Sequence, residues 1–466
     1  MNSAENRVLA AMSAAADLAA REIPAAPPLR LPPESAPATR RGHAPRGWIR
    51  WLVPLAAAAA VIALAISLAL IKDIQNGSMV PPNPSTTTGP GGVPRYYVAL
   101  EQLAGQQGAS LPRSGIVAGD SLTGGTLTTF APPAGTTFAS VTAAADDLTF
   151  VVFAVTSSTG SFSPKAKTTL TGRWYQVRLS PGAASPARLT PLPVKPVILL
   201  RDTSAEAGWA ALGASFATAL SGSGRELAVP EWVAPHGLAV KVFSVATGRL
   251  LHDWTTSDPS LHQEQQPSLM WIDGDRSLAL LSSRSMSAVL SETAVREWPV
   301  AGSARGDLAA VGKVVWSLQN TSGSDTTLQN CLYEEPGGVH ISADGKTFSC
   351  ATSAATADGG EVKFYTFPLA ASTTVTAKGR LDAQLRLRDN LGGQYLAQVL
   401  WASPSGGTLI GTWIRGVLTP VSSQGGSSAR GAPGLSIGVI SHGRFAPLHF
   451  PAGFTLIEGS GIPIAW

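Results

Sequence analysis

Apolar and polar positions follow three successive rules before Tyr96, and a fourth takes over afterwards. In 3–23, Val8, Met12, Ala15, Ala19 and Ile23 recur at steps of three or four, which predicts a small amphipathic helix. Ser3 is placed to cap it and Pro24 ends it. Alone in water such a helix is marginal, so it either binds something or frays. Residues 24–47 are proline-rich and read as a stiff extended linker. The stretch 52–71 carries no charge, and as a helix it reaches about 30 Å, the depth of a bilayer's hydrocarbon core.

From Tyr96 the pattern becomes short β-rich runs broken by Gly and Asp turns. One unit recurs: an apolar run, a tight turn, a second apolar run. Its turns lie at Asp147, Gly224, Asp275, Gly345 and Gly406, with a looser copy near Gly459. A second hairpin falls between these, clearest in Val242-Phe-Ser-Val-Ala-Thr-Gly248-Arg-Leu-Leu. It returns after Trp174, Val295, Val362 and Ile437. Two hairpins per period make four strands, the blade of a β-propeller. The first stretch of the body, 95–130, has a second-type hairpin only, and the last, 454–466, a first-type hairpin only. Joined, they complete a sixth blade, which removes the exposed edges of an open sheet. The expected fold is all-β: a six-bladed propeller of four-stranded blades, closed by strands from both chain ends. One transmembrane helix and a short leader precede it.

Charge then fixes the orientation. Residues 1–51 hold seven Arg and four acids, and Arg40, Arg41, Arg46 and Arg50 approach the apolar segment without an acid between them. Beyond it stand only Lys72 and Asp73, which cancel. The positive-inside rule puts 1–51 in the cytoplasm and the body outside, on a single-pass plasma-membrane protein. Trp48 and Trp51 suit an interfacial belt. A cleaved signal peptide expects a shorter core nearer the start, so 52–71 reads as a retained anchor. Residues 72–94 form a Pro/Ser/Thr/Gly stalk and 95–466 the extracytoplasmic propeller. The part beyond the anchor is nearly neutral, with 27 basic and 26 acidic residues. No basic stripe with interleaved aromatics occurs, so no nucleic-acid partner is expected.

The turns resemble the recurring turn of TolB-like and WD-repeat propellers, notably Ala-Asp344-Gly-Lys and Ser-Pro-Ser-Gly406-Gly. The layout resembles that of actinobacterial membrane-anchored WD-repeat-like proteins, on the stretches Arg95-Tyr-Tyr-Val-Ala-Leu, Ala143-Ala-Ala-Asp-Asp-Leu-Thr-Phe and Phe243-Ser-Val-Ala-Thr-Gly-Arg-Leu-Leu. That resemblance implies a fold rather than an activity.

Candidate chemistry is sparse. Gly119-Asp-Ser-Leu122 spells the nucleophile block of the GDSL hydrolases, but no Asp-x-x-His accompanies it, and a strand entering a turn explains the same residues. Asp273-Gly-Asp275 lacks the further oxygen ligands of a Ca²⁺ loop and reads as a turn. Arg305-Gly-Asp307 reads as a loop, and His252 and His262, beside Asp253 and Asp258, as a polar loop. The many Trp, among them Trp174, Trp254 and Trp298, read as packing between blades. Cys331 and Cys350 either form a disulfide, worth ~3 kcal/mol for a loop of this length, or stay reduced as small buried side chains. No cofactor or metal site is expected.

Three functions remain: a non-catalytic module that binds or senses an envelope protein or glycan, a transmembrane signalling protein whose leader contacts a regulator such as a sigma factor, and a propeller-type extracytoplasmic hydrolase or lyase. The first fits the sequence best.

Overall fold

The computed structural model describes residues 93–102, 114–157, 169–183, 185–201, 218–233, 237–256, 268–287, 290–301, 305–320, 339–356, 359–369, 379–388, 394–403, 407–416, 436–450 and 464–466. The leader, the apolar segment 52–71 and nearly all of the stalk lie outside them. Among the described residues no helix is long and apolar enough to cross a membrane.

The body is all-β, in six sheets. Blade A holds β1 (Tyr96–Gln102), β2 (Ser114–Asp120) and β3 (Gly125–Phe130). Blade B holds β4 (Thr136–Ala143), β5 (Thr149–Ser157), β6 (Thr169–Leu179) and β7 (Ala187–Pro191), with β8 (Val197–Arg201) added on β6. Blade C holds β9 (Ala219–Leu220), β10 (Glu226–Val233), β11 (Gly237–Ser244) and β12 (Leu250–Thr256). Blade D holds β13 (Ser268–Ile272), β14 (Ser277–Ser287), β15 (Leu290–Pro299) and, past β16 (Arg305–Asp307) and the short helix α1 (Leu308–Val311), β17 (Lys313–Asn320). Blade E holds β18 (His340–Ile341), β19 (Thr347–Thr356), β20 (Gly359–Pro368) and β21 (Arg380–Arg388). Blade F holds β22 (Gln394–Ala402), β23 (Thr408–Gly416), β24 (Ser436–Ser441) and β25 (Arg444–Pro447). The last strand, β26 (Ile464–Ala465), returns to blade A, which runs β26-β1-β2-β3.

Six separate apolar cores lie between successive blades, and this makes the arrangement a closed ring. The core between blades F and A joins Ile410 and Ile437 to Tyr97, Ala99, Val117, Ile464 and Trp466. A second strand is squeezed from both sides, so in blades A and B its sequence is a continuous apolar run rather than an alternating one. In β5, Phe150, Val152 and Ala154 pack toward blade A, and Val151, Phe153 and Val155 toward blade C. The first-type turns at Asp147, Gly224, Asp275 and Gly345 fall between the first and second strands and the second-type turns between the third and fourth, except that the connection after Val295 is lengthened by β16 and α1 and the turn at Gly406 lies outside the described residues.

Closure differs from the expected two-plus-two split. Residues from the C-terminus supply one strand and the N-terminal side three: Val98 pairs with Ala465 and Ala99 with Ile464, while β1 also pairs along its whole length with β2. Tyr96–Leu100 is buried throughout, as a second strand must be. The expected turn near Gly459 lies outside the described residues.

Two loop readings are corrected. Arg305–Asp307 forms β16, a fifth strand that pairs in parallel with β12 on the edge of blade C. Asp307 also caps α1, its side chain accepting from Ala309 N, and α1 buries Leu308 between blades C and D. A connection within blade D thus latches onto its neighbour. His252 and Asp253 lie in β12, and the His252 ring stacks on Trp254 at 4.9 Å between centroids. Burial pushes the His252 imidazole below its ordinary pKa. His262 and Asp258 lie outside the described residues.

Candidate functional site: the turn face of the ring

The chain alternates direction within each blade, so the first- and second-type turns all emerge on one face. The turns on this face are mostly short. Connections from the opposite strand ends include 103–113, 158–168, 202–217, 257–267, 321–338 and 417–435, which are longer.

On the turn face, hydrogen bonds join the start of β1 in blade A and the first-type turns of blades B to E, each to the next. Asp147 stands at φ 59°, a conformation that Asp tolerates better than most side chains. It aims its carboxylate at blade A and accepts from Arg95 N at 2.6 Å and from Tyr96 N at 3.0 Å. From blade B to C the link is backbone, Ala145 N to Gly222 O at 2.9 Å. From C to D the carboxylate form returns: Asp275, at φ 68°, accepts from Gly222 N at 2.6 Å and Ser223 N at 2.7 Å. From D to E it is backbone again, Asp273 N to Ala343 O at 2.8 Å. The Asp273-Gly-Asp275 pair is therefore a turn whose second carboxylate staples two blades. Among the described residues no three His, Cys, Asp or Glu converge to hold a metal.

Asp147 is buried, and burial pushes its carboxyl up to about 7, against the opposing pull of the Tyr96 and Arg95 N–H groups. Asp146 and Asp120 nearby push the same way as burial. Asp120 behaves differently. Burial raises it, but the Arg95 guanidinium and the Leu122 and Thr123 N–H groups outweigh that and hold it below the usual carboxylate value. The Arg95–Asp120 pair closes at 2.8 Å, and the Arg95 guanidinium lies 5.1 Å from the Tyr96 ring centre.

The GDSL block is accounted for by these contacts. Gly119 pairs with Tyr97, and a Cβ there would lie 2.3 Å from the Tyr97 hydroxyl oxygen. Asp120 holds Arg95 and closes the turn. Ser121 is buried, and its hydroxyl donates to Arg95 O at 2.8 Å. Leu122 is exposed on the turn.

Cys350 is fully buried in β19, on the side facing blade D. Cys331 lies outside the described residues. Of the tryptophans read as packing, Trp174, Trp254, Trp271, Trp298 and Trp316 are buried, and Trp271 Nε1 donates across blades to Ala219 O at 3.0 Å.

One feature was missed by sequence reasoning. Blades A, C, D and E carry a bulge between their third and fourth strands, and the extra residues are Leu127, Leu251, Val315 and Asp382. The first three pack into inter-blade cores. Asp382 instead accepts from Thr366 Oγ1 at 2.6 Å and Arg380 Nε at 2.7 Å, and Thr366 in turn meets Ser349 Oγ at 3.0 Å. This polar row crosses blade E from β19 to β21. Its only sequence signal is a carboxylate where the other repeats place an aliphatic residue.

No family model and no curated protein matches the chain. Solved structures that resemble it include TolB from Acinetobacter baumannii, at 10% identity and TM-score 0.33, covering 69% of this chain and 61% of that one. The β-propeller domain of the Trilobed protease from Pyrococcus furiosus gives 8% identity and TM-score 0.29, covering 66% and 70%. Hydrazine synthase from Kuenenia stuttgartiensis gives 15% identity and TM-score 0.30, covering 66% and 64%. The similarity is distant, and the propeller assignment rests on the strand order and the six inter-blade cores described above.

Proposed function

We propose that the chain is a membrane-anchored, extracytoplasmic β-propeller that binds or senses an envelope protein or glycan without catalysing a reaction. The observation that carries this reading is the contrast between the two faces. One is a ring of mostly short turns, hydrogen-bonded to one another from blade A to blade E. The other is where the long connections arise, and long connections on a rigid scaffold are the usual place for recognition. The apolar segment 52–71 supports the anchor, and the Arg-rich flank before it supports the orientation. Ser121, the one residue with a nucleophile motif, has its hydroxyl committed to a backbone carbonyl.

The test is in-cell crosslinking of the full chain followed by identification of captured envelope components. Reproducible capture of one partner supports the reading. Capture of none, from cells in which the protein is abundant and membrane-bound, counts heavily against it.

A further inference from the structure

The turn face carries a second regularity. Its exposed charged side chains are basic in every blade from B to F: Arg188, Arg225, Arg276, Lys346 and Arg444. Each stands within two residues of a strand end on that face. Acids on the same face are buried or half-buried within the turns. Asp120, Asp146, Asp147, Asp275 and Asp344 each accept backbone N–H groups there. Among residues with described side chains, Asp307 is the only exposed acid, and β16 carries it toward the opposite strand ends. Among the described residues, the conspicuously exposed apolar side chains share the turn face too: Leu122 at 41%, Leu250 at 37%, Val314 at 43% and Leu381 at 46%.

We infer that the turn face rests on the surface of the bilayer, with its leucines at the acyl boundary and its arginine and lysine tips on anionic lipid phosphates. Three observations converge on a lipid surface as the occupant. The chain enters the ring on this face, since β1 starts beside the Asp147 turn, and the apolar segment 52–71 lies a short stretch upstream of that entry. Exposed leucines interleaved with cations are the pattern of interfacial contact. Arg and Lys project their charged tips beyond their stems, whereas the acids are held down in hydrogen bonds, so a phosphate meets cations first. Because those acids offset the cations, attraction is short-ranged and depends on the leucines as well as on charge. The opposite face, with its long connections, is left directed away from the membrane.

This inference rests on the proposed anchor, and the experiment separates the two. The full chain is reconstituted in vesicles of phosphatidylcholine with or without phosphatidylglycerol, with a photo-crosslinking residue replacing Leu250, Leu381 or Thr255. Leu250 opens β12 on the turn face and Thr255 stands one residue from its opposite end, and both are exposed. Resistance to alkaline extraction reports the anchor independently. The expected result is an extraction-resistant protein that crosslinks lipid from positions 250 and 381 but not from 255, more strongly with phosphatidylglycerol. The double variant Arg225→Gln/Arg276→Gln should reduce that crosslinking about two- to fivefold per arginine. An extracted protein overturns the anchor. An extraction-resistant protein that crosslinks lipid no more from 250 and 381 than from 255 overturns the contact while leaving the anchor intact.

Discussion

The carboxylate of Asp147 accepts the backbone N–H of Tyr96, 51 residues earlier in the chain, at 3.0 Å. This bond ties blade B to the first residue of β1, the strand that both closes the ring and carries the chain in from the stalk.

Asp147 gives stability a defined pH dependence. Burial raises its folded pKa to about 7 from 3.8, so the folded state holds this proton over a window where the unfolded chain has released it. Stability from this group is therefore full below about 4 and is lost as pH rises toward about 7. In Asp147→Asn that slope should be absent, as read by denaturant titrations at pH 5 and pH 8. Asp147→Ala removes the acceptor of two N–H groups and strains a positive φ, and should cost about 2–4 kcal/mol.

Removing 464–466 should unfold the ring rather than fray a tail. Ile464 and Trp466 are buried in the core between blades F and A, and Trp466 lies 6.3 Å from the Tyr97 ring. Two large side chains of this kind contribute about 3–6 kcal/mol, and their loss also exposes an edge of β1. Thermal denaturation by circular dichroism should show a large fall in Tm or no cooperative transition. An unchanged transition would place closure elsewhere.

Gly119→Ala should destabilise by about 1–3 kcal/mol, because the new methyl group meets the Tyr97 ring. Ser121→Ala should cost only about 1 kcal/mol, the value of one buried hydrogen bond. If any ester hydrolysis is detected in the wild type, Ser121→Ala should leave it unchanged. A selective loss of hydrolysis in a folded Ser121→Ala protein would restore the GDSL reading.

Peptide mapping without reductant should recover Cys331 and Cys350 as one linked pair. Reduction should then lower Tm, in line with ~3 kcal/mol for a loop of this length. Two freely alkylated cysteines in the native protein would show that both stay reduced.

What the sequence determined by itself is the repeat. Turn chemistry is local: Asp146-Asp147, Asp273-Gly-Asp275 and Asp344-Gly345 can reverse a chain with little help from distant contacts, and their spacing gave four strands per period. The count of six blades and the closure by both ends followed. What only the tertiary structure decided depends on pairing across the ring. Local pattern cannot distinguish a two-plus-two from a three-plus-one closure, because that depends on whether Tyr96–Leu100 finds β26 on its free edge. Nor does it show that Asp147 and Asp275 serve neighbouring blades, that Arg305–Asp307 joins the edge of blade C, or that Asp382 fills a bulge its counterparts fill with Leu and Val. A nearly neutral net charge likewise hid the sorting of acids into turns and of bases onto their rims. Composition sums charges, and only folding places them.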